Sequence, residues 1–175
     1  LCPYCDFVKE RATSAPEAFV AALCEEIRNY EGPVAAQSIF FGGGTPSLVP
    51  PPALERIFTS LRDRFRLEHP EITLEANPDD VTPELIAAWR DLGINRISMG
   101  VQSFDDRVLR YLGRRHDADG ARKAIRLVAE AFETWNIDFI FGAPPIEAWR
   151  ATLEEALHFA PPHIATYGLT YEAGT

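Results

Sequence analysis

The sequence has 175 residues, 46% of them hydrophobic and 25% charged, which suits one soluble domain with a substantial core. No apolar run reaches the ~20 residues that a bilayer crossing needs, and nothing near Leu1 has the pattern of a signal peptide. The net charge of -9 opposes unspecific binding to nucleic acid, whose phosphates reward clustered Lys and Arg. Arg107, Arg110, Arg114 and Arg115 form one local basic cluster within that acidic background. Cys2, Cys5 and Cys24 are an odd count in a long chain, which argues against a disulfide scaffold and for a reducing compartment, the cytoplasm. The start at Leu1 rather than Met, and the stop at Thr175 just after a strand-like run, read as a piece of a longer protein.

In chain order, the first helical pattern covers Ser14–Tyr30, with Ser14 and Glu17 at capping-box spacing and Phe19, Val20, Leu23 and Ile27 on one face. Gln37–Phe41 is a short apolar strand pattern ending in glycines, and Pro50–Pro52 opens a helix running to Phe65. Glu71–Ala76 is the next strand. A helix with a Thr82 cap follows and stops at Gly93. Asn95–Met99, a helix over Asp117–Glu133, a strand over Asn136–Phe141, a helix over Glu147–Phe159 and a strand over His163–Thr170 complete the series. Regular β–α alternation predicts an α/β fold with parallel strands and right-handed crossovers. An open doubly wound sheet and a barrel both fit, and both place sites at the carboxyl ends of the strands. The whole of residues 1–175 reads as one domain, with no internal repeat beyond the β–α rhythm.

Two motifs carry chemistry. Cys2-Pro3-Tyr4-Cys5 puts two thiols three positions apart, able to hold a metal centre or to exchange as a dithiol, as in glutaredoxins. A structural zinc site would need two further ligands, and the chain offers only Cys24 and four scattered His. Phe40-Phe41-Gly42-Gly43-Gly44-Thr45-Pro46-Ser47 places three glycines at a strand end, where the backbone can approach a small polar ligand; a plain glycine-rich turn is the simpler reading. It has neither the Gly-Lys-Ser/Thr ending of a P-loop nor the glycine spacing of a dinucleotide fingerprint.

Together these motifs resemble the radical S-adenosylmethionine (SAM) superfamily, in its oxygen-independent coproporphyrinogen III oxidase-like group. The resemblance continues in order along the chain through Leu74-Glu75-Ala76-Asn77-Pro78-Asp79, Gly100-Val101-Gln102-Ser103-Phe104, Leu112-Gly113-Arg114-Arg115-His116, Asp138-Phe139-Ile140-Phe141-Gly142 and Tyr167-Gly168-Leu169-Thr170-Tyr171-Glu172-Ala173-Gly174-Thr175. It implies a partial (β/α)6 barrel whose first strand lies upstream. Cys2 and Cys5 resemble the second and third cysteines of a CxxxCxxC run that holds a 4Fe-4S cluster, the first lying four residues before Cys2. Tyr4, Gly43, Gly44, Thr45 and Glu75 resemble residues that hold SAM. Gln102, Arg114 and Asp138 resemble residues around a second SAM or the substrate.

Physical chemistry allows these roles, since a carboxylate accepts ribose hydroxyls or an ammonium and an Arg fork pairs with a carboxylate. Plainer readings stand beside them: Glu75 and Asp138 as strand-end residues capping loops, Arg114 and Arg115 as a solvated helix end, His116 as a cap, and Cys24 as a small core residue.

Cys5 is followed by Asp6-Phe7 rather than Gly-Cys. With the LGRxH block, this is closest to the HemW-type haem chaperone branch, which implies haem, and haem-accepting proteins, as partners in the full-length protein. The alternative is an oxidase that cleaves SAM to a 5′-deoxyadenosyl radical and decarboxylates porphyrinogen propionates. One segment departs from the pattern: Ala143-Pro144-Pro145-Ile146 stands where the family reads LPGQT.

Overall fold

A computed structural model describes residues 3–5 and 15–171. Eleven regular elements alternate along it: α1 (Glu17–Asn29), β1 (Ala35–Phe41), α2 (Pro51–Arg64), β2 (Arg66–Ala76), α3 (Pro83–Asp91), β3 (Arg96–Gln102), α4 (Asp106–Tyr111), α5 (Ala118–Ala131), β4 (Thr134–Phe141), α6 (Ala148–His158) and β5 (His163–Gly168). All strand pairs are parallel, and the order is β1-β2-β3-β4-β5. A doubly wound sheet reverses its strand order at a switch point. This order has no reversal, so the chain winds one way, and the sheet curls as a partial barrel.

The two-residue period of a strand sorts its side chains by face. Ile72, Leu74, Ala76, Ile97, Met99, Val101, Trp135, Ile137 and Phe139 pack in one core with Leu54 and Phe58 of α2, Trp89 of α3 and Ile125 and Val128 of α5. The alternate positions, Thr73, Glu75, Ser98, Gly100, Asn136 and Asp138, therefore line the other face. That inner face is polar, and it is where a ligand can be met.

Local details follow from the residues. Thr82 caps α3, its hydroxyl accepting from the Leu85 N–H at 3.2 Å. The capping box expected at α1 rests on Ser14, which lies outside the described residues; the helix begins at Glu17 after Pro16, and Glu17 pairs with Arg56 at 2.6 Å. β2 starts five residues earlier than expected. The register with β1 slips between Ala36 and Ser38, opposite His69 (φ 49°) and Pro70, because Pro70 has no N–H for the ladder and the chain bulges there. The one-and-a-half-turn helix α4 gave no expected pattern; Asp105 caps it by accepting from the Arg107 N–H at 2.8 Å. Among the described residues, no helix is long and apolar enough to cross a membrane.

Candidate functional site

The carboxyl ends of β1 to β4 bring most of the expected residues to one mouth. After β1, the chain turns through Gly42–Gly44. Gly43 has φ 106°, a conformation that an L side chain strains to adopt, and the space over Gly43 and Gly44 is open for 4 Å. The Gly43 N–H donates to Glu75 Oε2 at 3.2 Å, so the penultimate residue of β2 holds the glycine loop. Thr45 follows and leads into a 3-10 turn, Pro46–Leu48, without capping it through its side chain.

Glu75 is half-buried, and its carboxyl is pushed above the ordinary range chiefly by loss of hydration; the Asp138 charge adds to this and the Gly43 N–H opposes it. Asp138, on β4, is also raised by burial, against hydrogen bonds from Ser98 and Asn136 and the charges of Arg96 and His163. Tyr167 on β5 has a raised hydroxyl pKa, through partial burial and then through the charges of Asp138 and Glu75. These three groups share one electrostatic neighbourhood. Two part-buried carboxylates in one neighbourhood, with Arg96 beneath Asp138 on its protein side, favour a ligand carrying positive charge or several hydroxyl donors on the open side.

Gln102 ends β3 with φ 70°, an uncommon conformation for a residue with a side chain. It sits at a bulge, where the β3–β4 register slips between Gly100 and Gln102. Gly100 leaves the necessary room: a Cβ there would stand 2.8 Å from Gln102 Nε2, with Asn77 Oδ1 and the Arg114 guanidinium also within 4 Å. Arg114 donates to Asn77 Oδ1, to the Gly100 carbonyl at 3.0 Å and to the Tyr4 hydroxyl at 3.4 Å. It is a part-buried clamp between strand ends rather than a solvated helix end.

Through Tyr4, the cysteine loop reaches the mouth. Tyr4 also packs against the cluster of Val108, Leu112, Ile140, Ala143 and Ala148, and Pro3 lies so close to Gly113 that a Cβ there would stand 2.7 Å from Pro3 Cδ. Cys5 is a free, partly exposed thiol in that loop; Cys2 lies outside the described residues. Cys24 is 4% exposed and packs with Val20 and Ile57, as a core residue. Among the described residues, no three His, Cys, Asp or Glu side chains converge on a metal position.

Several contributors had no place in the expected site. Asp80 is buried in the 3-10 turn Pro78–Asp80 after β2. Its carboxylate accepts from Ser47 Oγ at 2.7 Å, Asn77 Nδ2 at 3.5 Å and Arg115 at 3.1 Å, joining the loops that follow β1, β2 and α4. His116 is no cap: its Nε2 bonds the Val101 carbonyl at 2.9 Å within the protein, and burial lowers its pKa. Arg96, Ser98 and Asn136 form a network beneath Asp138. The signal for them was strand alternation, which puts Ser98 and Asn136 on the face of Gly100 and Asp138.

The sequence model of the Radical SAM superfamily matches residues 1–156. The chain belongs to the radical SAM superfamily. Membership implies a 4Fe-4S cluster and SAM. Within the superfamily, it is 37% identical to heme chaperone HemW of Lactococcus lactis, over 100% of this chain and 47% of that protein. It is 36% identical to heme chaperone HemW of Escherichia coli, over 99% of this chain and 48% of that protein. A mouse relative, the mitochondrial radical S-adenosyl methionine domain-containing protein 1, is 36% identical over 99% of this chain and 41% of its own length. The chain thus spans about half the length of the curated relatives it matches. Among solved structures, coproporphyrinogen III oxidase (HemN) of E. coli, a radical SAM enzyme, superposes with a TM-score of 0.86 at 26% identity, over 97% of this chain and 41% of that one. Superfamily membership replaces the thiol–disulfide reading of Cys2-Pro3-Tyr4-Cys5.

Proposed function

We propose that residues 1–175 form a radical SAM core domain whose strand-end mouth binds SAM beside a 4Fe-4S cluster held by Cys2, Cys5 and a further ligand. The observation that carries this reading is the Gly43–Glu75 pair: a glycine loop with open space above it, tied to a half-buried carboxylate. The donor chemistry fits both groups. Cys5 is a free thiol in a loop anchored at the mouth, and thiolates are the usual ligands of such clusters. Cys2 and Cys5 would hold the cluster, which when bound would supply the electron for reductive cleavage of SAM.

The chain's own residues bind and orient. The Gly43 and Gly44 backbone approaches the amino end of SAM, with Thr45 bounding it. Glu75 takes the ammonium or ribose hydroxyls as an acceptor. Gln102, Asp138 and Arg114 line the far side, and Tyr4 fixes the cysteine loop through Arg114. Burial of Glu75 and Asp138 strengthens their attraction for a cation, because fewer waters compete.

For the protein's job, we favour HemW-type haem chaperoning, with haem and haem-accepting proteins as partners and a reducing compartment, the cytoplasm, as its place. The identities of 36–37% to HemW proteins support this. Coproporphyrinogen III oxidation is the second reading, favoured by the superposition on HemN. The intact protein, reconstituted anaerobically, is tested for haem binding and for SAM-dependent loss of coproporphyrinogen III. Haem binding without porphyrinogen loss is the expected result. Porphyrinogen loss without haem binding overturns the chaperone reading, and failure to bind SAM overturns the site itself.

A further inference from the structure

Asp138 is unusually well held for a residue that faces a ligand. Ser98 Oγ donates to its Oδ2 at 2.9 Å, and Asn136 Nδ2 donates to its Oδ1 at 2.7 Å. Asn136 Nδ2 also donates to Ser98 Oγ at 2.9 Å, closing a triangle. One layer deeper, Arg96 donates to Asn136 Oδ1 at 2.6 Å and to Thr73 Oγ1 at 3.3 Å, and its guanidinium lies 3.3 Å from His163 Nδ1. With Asn136 Oδ1 taken by the guanidinium, its amide can present only Nδ2, the donor end, to Asp138. The strand register produces this: Ser98 pairs with Asn136, Gly100 with Asp138, and Asn136 with His163. Ser98 and Asn136 are 7% and 2% exposed, so water cannot replace them.

We propose that Arg96, Asn136 and Ser98 are positioning residues for Asp138, holding its carboxylate in one orientation and favouring its ionised form on the sheet face it shares with Glu75. The assignment of Asp138 to a ligand rests on the function proposed above; the positioning does not. Each oxygen spends one acceptor site on the network and keeps another for a ligand. The charged and titratable groups facing Asp138 are Glu75 from β2, Arg96 from β3 and His163 and Tyr167 from β5. Of these, Glu75 opposes the ionised form and Arg96 and His163 favour it. The two hydrogen bonds act at contact distance, and they persist when salt screens the charges.

The test is a carboxyl 13C NMR titration of the protein labelled at aspartate, with Asp138→Asn identifying the resonance. The variants are Asn136→Ala, Ser98→Ala and the hydroxyl-retaining Ser98→Thr. Asn136→Ala and Ser98→Ala should move the Asp138 titration to higher pH, while Ser98→Thr should restore it toward the wild type. In parallel, SAM affinity of the reconstituted Asn136→Ala protein should fall roughly tenfold at a pH below the variant's own Asp138 midpoint, as read from the titration, and recover in good part at a pH well above it. A merely structural role would weaken SAM equally below and above that midpoint. Unchanged Asp138 titration in Asn136→Ala and Ser98→Ala overturns the positioning role, whatever SAM does. A displaced titration with SAM affinity indifferent to Asp138→Asn upholds the positioning and overturns the placement of SAM at Asp138.

Discussion

Replacing Asp80 by Ala should be among the costliest polar substitutions in the domain, although Asp80 is not expected to touch a ligand. Its carboxylate joins three loops: Ser47 after the glycine turn, Asn77 after β2 and Arg115 after α4. Arg115 keeps 63% of its side chain exposed, so that ion pair is worth at most ~1 kcal/mol. Ser47 is 3% exposed, and its bond to Asp80 is short and charge-assisted, worth about 1.5–3 kcal/mol. Together the loss comes to about 3 kcal/mol, which in a domain of this size lowers Tm by roughly 6–12 °C. Arg115→Ala should cost under about 1 kcal/mol. Ser47→Ala and Asp80→Ala should be less than additive, since either removes the same bond. Thermal unfolding by circular dichroism of the two single variants, the Ser47/Asp80 double variant and Arg115→Ala measures all of this. Equal costs for Arg115→Ala and Asp80→Ala, or additive Ser47 and Asp80 losses, would refute the claim that the buried bond dominates.

Other expectations follow from the same geometry. Glu75 has its folded-state pKa raised above the unfolded value, so the folded state holds the proton more tightly, and the domain loses stability as pH rises through the acid range from the unfolded pKa to the folded one. Glu75→Gln should therefore unfold at a higher Tm than the wild type at pH 7 and lose that advantage near pH 4; a lower Tm at pH 7 would contradict the sign. Gly43→Val forces a branched side chain to φ 106° and fills the open space above the loop, so it should cost about 1–3 kcal/mol in strain and abolish SAM binding, read by calorimetry. Leu74→Ala, at a fully buried β2 position, should cost about 2–5 kcal/mol in urea unfolding while leaving the free Cys5 thiol as accessible to a thiol reagent as before.

Much of this fold was legible because its strands are short apolar runs separated by amphipathic helices, and the Thr82 cap and the glycine stop at Gly93 behave as written. What was not legible depends on pairing. The early start of β2 follows from a bulge at His69-Pro70 that only the β1 register creates, and α4 is too short to show a helical period. Periodicity alone left an open sheet and a barrel both standing; the motif resemblance implied the partial barrel, and the strand order agrees with it. The site divides similarly. Glu75 and the glycine loop lie 32 residues apart, yet the motifs marked both, and the structure joins them at 3.2 Å. Asp80, by contrast, sits beside a conspicuous segment without being distinguishable from Asp79, and only the fold shows which of the two is buried under Ser47. Asn136 looked like a strand opening; its place two residues before Asp138, on the same face, becomes meaningful once Arg96 lies across it.

The central claim, that the glycine loop and Glu75 form a SAM site, is tested most directly by titrating SAM calorimetrically into the anaerobically reconstituted protein and its Glu75→Gln variant at matched iron and sulfide content. The account predicts at least about tenfold weaker binding in the variant, the loss of one charge-assisted hydrogen bond. Identical affinities would contradict it.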